Sequence, residues 1–282
     1  MKPAKLLTPV PKLLNGAIMA EVFAAIGFEV GDEDAYNLLV EYAEANGERS
    51  QVPRGALTLH GRCWKVGEGL EVWATLFEEN GGWYYADCRP AFRSRYIQTV
   101  QSWELTEFED NGEAVVRGGV RQGGEVVFEL QNLTELPPPV LREAQLQVGL
   151  AGLAYRAWAR PDSPARPAAC RFDLAEQFPE YAADAYESDY LITGRVLTWR
   201  EIVNPMTASR LAWIYLDAGD FPLELLVNPQ TLKGRLKPGV IVTAHVWLQG
   251  HILTGPEVVS RYEGVDREFE TGDFWAALRR DN

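Results

Sequence analysis

From residue 56 onward apolar and polar residues alternate, and short Asn/Gly-rich breaks punctuate the alternation. LTLHGRCW, GLEVWATLFEE, GWYYADC, SWELTEFED, AVVRGGV and EVVFELQNL all repeat with a period of two, which sends successive side chains to opposite faces of a strand. The breaks EENGG, DNGE and RQGG supply the Asn and Gly that accept positive φ in hairpin turns. This pattern predicts an antiparallel meander. Ahead of this region, residues 16–46 have helical spacing, where Ile18, Val22, Phe23, Leu38, Leu39 and Tyr42 flank a GDED break. Two short helices are expected, the second capped by Asp32 or Asp34 and ended at Asn46-Gly47.

Pro137-Pro138-Pro139 predicts an extended connector after the meander. In REAQLQVGLAGLAYRAWAR, Leu146, Val148 and Leu150 alternate with Gln145, Gln147 and Gly149, which favours a strand over a helix. The proline- and alanine-rich PDSPARPAACRFDLAEQFPEYA reads as a domain boundary. The expected fold class is therefore α+β, mainly β. Residues 1–171 form helices plus a meander, and 172–282 form a β domain ending in a short helix over TGDFWAALRRDN. No strong internal repeat stands out.

Residues 190–253 read as strand, loop, strand, tight turn, strand, linker and strand. TLKGRLKPG supplies about one helical turn before Val240. Alternation groups Ala212, Ile214 and Leu216, then Leu223, Leu225 and Val227, then Val240, Val242 and Val246, as interior sets. LITGRV, RLAWIYLDAG, FPLELLVN and LKPGVIVTAHVWLQG, in that order, resemble an OB-fold across residues 188–255. The resemblance implies a five-stranded Greek-key barrel and is one of fold alone. HILTG or EVVSRYEG would supply the fifth strand. On this arrangement Trp213, Tyr215, His245 and Trp247 fall outside the barrel, with Trp199 nearby and Arg195 available beside them. An outward aromatic group implies a cover, either the N-terminal part of the chain or a partner.

Composition narrows the function. The net charge of −13, concentrated in the first half, would repel a phosphate backbone, so single-stranded nucleic acid is disfavoured despite Arg195, Arg200, Arg210, Lys233, Arg235 and Lys237. Cys63, Cys88 and Cys170 are few and odd in number and read as reduced thiols of a cytoplasmic protein. No stretch has the length of a membrane span.

No metal, cofactor or catalytic residue is implied. Gln249-Gly250 is expected to turn the chain between His245 and His251, and no HExxH or CxxC occurs. His60 and Cys63, three apart, fall on opposite faces of one strand. The expected role is non-catalytic binding, with another protein as partner, through Trp213, Tyr215, His245, Trp247 and Arg195.

Two alternatives remain besides nucleic-acid binding. In a sugar hydrolase, Glu68, Glu71, Glu78, Glu79 and Asp87 would work beside Trp64, Trp73, Trp83, Tyr84 and Tyr85. An acidic inhibitor of a basic protein would present the carboxylates of residues 68–113 as one face.

Overall fold

Asp32 starts the longer of two helices, its carboxylate accepting the N–H of Ala35 at 2.8 Å. A computed structural model describes residues 16–108, 112–120, 123–161, 165–171 and 187–253. The helices are α1 (Gly16–Ala25) and α2 (Glu33–Asn46). α1 buries Val22, Phe23 and Ala25, whereas α2 buries only Leu39 and Ala43.

The chain is otherwise mainly β, in two sheets. The first is an antiparallel sheet of β1 (Glu48–Arg54), β2 (Leu57–Gly67), β3 (Leu70–Glu79) and β4 (Gly82–Phe92), in that order. Its β3–β4 turn places Asn80 and Gly81 at positive φ, as EENGG predicts. The second is a larger mixed sheet of β5 (Ile97–Phe108), β6 (Glu113–Val120), β7 (Glu125–Leu130), β8 (Gln145–Arg160), β9 (Ala168–Arg171), β10 (Asp189–Val203), β11 (Arg210–Asp217), β12 (Pro222–Val227), β13 (Leu232–Lys233) and β14 (Ile241–Ile252).

Two long strands close the large sheet on itself. β8 and β14 pair antiparallel from Val148–Ile252 to Arg160–Ile241. One ring runs β5, β6, β7, β14, β8 and back to β5, with β7 parallel to β14. The other runs β10, β11, β12, β8, β14 and back to β10, with β12 parallel to β8. The second ring thus repeats the pairing pattern of the first, and both share β8 and β14. The first strand of each ring carries a bulge, between Ser102 and Glu104 in β5 and between Val196 and Thr198 in β10.

Alternation decides which side of each strand enters which core. The inward residues form one apolar cluster that includes Val116, Phe128, Leu146, Tyr190, Ile214, Leu225 and Val246. The outward residues of β8, β11, β12 and β14 meet α1, α2 and the small sheet in a second cluster, with Phe23, Trp64, Phe92, Trp213 and Trp247. The rings therefore have a filled inside, and a large part of their outside is covered by the N-terminal elements. Burying side chains of this size contributes roughly 1.5–3 kcal/mol each before conformational entropy is subtracted.

Several expectations need correction. The meander is two separate structures, because β4 ends its own sheet and β5 starts the large one. β1 and β9 carry no clear alternation and escape the sequence reading. The triple proline lies between two 3-10 turns, Leu133–Glu135 and Val140–Arg142, with Pro139 in the αR region. TLKGRLKPG contains no helical turn; Leu232 and Lys233 pair parallel with Ala157 and Trp158. His251 and Ile252 belong to β14, which runs through Gln249-Gly250 without the expected turn, and the strand that completes the second ring is β8, from much earlier in the chain. The expected boundary at 171/172 falls between β9 and β10, and strands from both sides of it pair in the large sheet. EVVSRYEG and the C-terminal helix lie outside the described residues.

Candidate functional site

Trp213 and Tyr215 project from the outer face of β11, as alternation requires, but the chain itself covers Trp213. Trp213 is 5% exposed, and its indole Nε1 donates to Glu224 Oε2 at 2.5 Å. Glu224, on β12, is fully buried. Its other oxygen accepts the Ser94 hydroxyl at 2.7 Å, the N–H of Tyr96 at 3.0 Å and the N–H of Arg95. One carboxylate thus organises the 94–96 loop and sets Tyr96 against Tyr215, with ring centroids 3.8 Å apart and planes 11° from parallel. Burial raises the Tyr215 phenol above its ordinary pKa. Arg200 lies 5.4 Å over the Trp213 ring and is 3.0 Å from Glu68.

Trp247 on β14 is fully buried against the second cluster, and its Nε1 donates to Glu129 Oε2 at 3.1 Å. His245, two residues away on the same face, is half-buried and edge-on to Trp158 at 5.5 Å. Burial first, and Arg156 second, hold its pKa below the usual imidazole value. Arg195 is exposed and donates to the carbonyl of Gly239 at 3.2 Å. The five residues named from sequence therefore divide. Trp213 and Tyr215 share one aromatic stack with Tyr96, Trp247 is core, and His245 and Arg195 contact other groups.

Sequence reasoning missed the buried carboxylates on the outer sides of the rings. Glu129 and Glu224 occupy corresponding positions on β7 and β12, each beside the parallel partner strand. Arg89 connects Glu129 to the small sheet, and pairs with Asp87 at 3.0 Å and with Glu113 at 3.8 Å. Burial pushes the Asp87 carboxyl up to about 7, against the pull of Arg89 and with the help of Glu113. Glu71 accepts from Trp73 Nε1 at 2.9 Å and Arg93 Nε at 2.5 Å, and Arg93 also meets His251 at 2.8 Å. Arg89, Glu129, Gln131, Gln249 and Trp73 line a cavity of about 10 Å³.

These contacts bear on the catalytic candidates. Glu71 and Asp87 belong to separate ion networks, Glu78 pairs with His60 at 3.0 Å, and Glu68 bridges Arg95 and Arg200. His60 packs at a tilt against Trp83, whereas Cys63 packs with Trp73 and Ala91, so the strand parity does separate them. Burial raises the Cys63 and Cys88 thiols above their ordinary range, which works against a thiolate at either position. Among the described residues, no three His, Cys, Asp or Glu side chains gather as a metal site. No described helix is long and apolar enough to cross a membrane. Comparison with protein-family models, curated proteins and solved structures returns no match for this chain.

Proposed function

We propose that the chain is a non-catalytic protein-binding module built on two OB-like rings. The strand order β10, β11, β12, β8, β14 supports the OB-like reading, with β8 supplying the fifth strand parallel to the third. The outer aromatic face named from sequence works mainly inside the molecule, where it seats α1, α2 and the small sheet. The binding surface is therefore sought among the aromatics and aliphatics left in solvent.

The observation that carries this reading is the end of the second ring. Trp199 is 40% exposed, Val203 44% and Met206 53%, in sequence along β10 and the loop after it. Large apolar side chains grouped in this way favour a partner. The principal carboxylates and histidines, by contrast, are held by arginines, tryptophans or each other, which supports binding over chemistry.

Site-specific cross-linking in cells of the native host tests the proposal. A photoreactive residue is placed singly at Trp199, Trp103, Trp83 or Leu38, all exposed. One defined protein partner, trapped from one position and absent from the others, is expected. Failure to trap a partner at any position, or hydrolysis of a carbohydrate panel by the purified chain, would overturn it.

A further inference from the structure

The two rings are built alike but end differently. Leu130 and Leu225, on the third strands, face Gly250 and Gly152 of the shared strands. Following each register outward from these pairs brings Glu107, opposite Ala114, into correspondence with Trp199, opposite Ile214. At the Glu107 end the small sheet closes the ring. Val52 and Leu59 join its core, and Arg54 Nε meets Glu107 Oε2 at 2.5 Å. At the Trp199 end Leu232 and Leu236, from the segment that follows β12, pack on the core in place of the small sheet, and Trp199 is left 40% exposed.

The backbone there is open as well. One edge of β10 pairs with β9 and then with β11, as far as Val203. The other edge pairs with β14 only up to Arg195, and Val196 exchanges bonds with Gly239 and Val240. From Thr198 to Val203 that second edge meets no strand among the described residues. The segment TWREIV contains neither proline nor lysine, the residues that commonly blunt an exposed edge.

Charge selects the occupant. Arg95, Arg195, Arg200 and Arg210 surround this end, against Glu68, Glu201 and Asp217. The local balance reverses that of the chain, whose net charge is −13. In the first ring an incoming arginine meets a ring glutamate; here the ring presents the arginines. A second copy of β10 would set arginine against arginine, whereas an acidic strand would complement them.

We propose that β10 at Thr198–Val203 is the docking edge for an extended acidic segment of another protein. The segment adds as a strand and lays an apolar side chain over Trp199. Backbone pairing supplies affinity, and alternate side chains supply selectivity. This rests on the protein-binding reading above and gives it a location and a partner chemistry.

The test probe is a displayed library of random ten-residue peptides, selected against the immobilised full chain. Binders are expected to alternate apolar and acidic residues and to lack central proline. The best peptide, added to the chain, should slow amide hydrogen exchange at residues 198–203. Trp199→Asp and Arg210→Glu should each weaken it at least tenfold with an unchanged circular dichroism spectrum and melting temperature. Arg210 is highly exposed, so its reversal keeps the test valid if the tryptophan variant misfolds.

An absence of binders, binders without acidic bias, protection elsewhere, or affinity indifferent to Arg210→Glu would each overturn the proposal. So would protection of 198–203 in the peptide-free chain through its own dimerisation. If cross-linking finds a native partner at Trp103 or Leu38 while this edge stays unprotected, strand addition fails and the protein-binding reading survives.

Discussion

Trp213 Nε1 donates to Glu224 Oε2 across 2.5 Å, joining a buried indole on one strand to a fully buried carboxylate on the next. The bond explains how a charged side chain sits between Leu223 and Leu225 in an apolar strand. Every donor that it engages belongs to the indole or to the loop at residues 94–96. Glu224→Leu removes the acceptor and leaves those donors buried. A loss of about 3 kcal/mol or more is expected, with a smaller loss for Glu224→Gln, which keeps one acceptor oxygen. Urea denaturation midpoints of the two variants check the order.

The shared strands make a second prediction. A Cβ on Gly250 would come within 2.1 Å of the Phe128 ring, and one on Gly152 within 2.7 Å of a Leu225 methyl. The ring is fixed in a filled core, whereas the leucine terminus can rotate. Gly250→Ala should therefore cost roughly 1–3 kcal/mol and Gly152→Ala less. Thermal melts that showed the reverse order would argue against the packing described at these seams.

Trp247→Ala should destabilise the fold by about 3–5 kcal/mol, because it opens a large cavity and removes the donor to Glu129. Calorimetry provides the measurement. A near-neutral result would mean that Trp247 is not core.

Asp87 gives the pH prediction. Its folded pKa, pushed up to about 7 by burial, lies above the ordinary carboxyl value, so the folded chain holds a proton that the unfolded chain releases. Stability from this group is present below about pH 4 and declines as pH rises towards 7, with a slope of at most about 1.4 kcal/mol per pH unit. Asp87→Asn cannot titrate and should flatten that slope. Urea midpoints from pH 5 to pH 8 would falsify the assignment if wild type and variant ran parallel.

Much of the fold could be read from alternation. The sets Ala212/Ile214/Leu216, Leu223/Leu225/Val227 and Val240/Val242/Val246 all enter one core, because a period of two fixes which side of a strand is inside. Trp213 and Trp247 are outside the ring for the same reason. What covers them was not legible, since α1 and the small sheet reach them only through long-range packing. The role of β8 in the second ring was hidden similarly. Parallel pairing with β12 joins segments far apart in sequence and leaves no local mark. Glu129 and Glu224 did leave one: VVFEL and PLELLV each set a single acid inside an apolar strand, and their likeness hinted at the repeated pairing pattern.

β8 and β14 each serve both rings, β8 through Ile97–Gly149 pairing on one side and Glu224–Ala151 on the other, β14 through Val246 and Gln249. Neither half of the chain holds all the strands of its own ring. A polypeptide cut between β9 and β10 yields two fragments that each present an open seam and lack the strand that closes it. The missing strand is carried by the other fragment. The halves are thus reciprocal templates, and closure of either ring is the same event as closure of both.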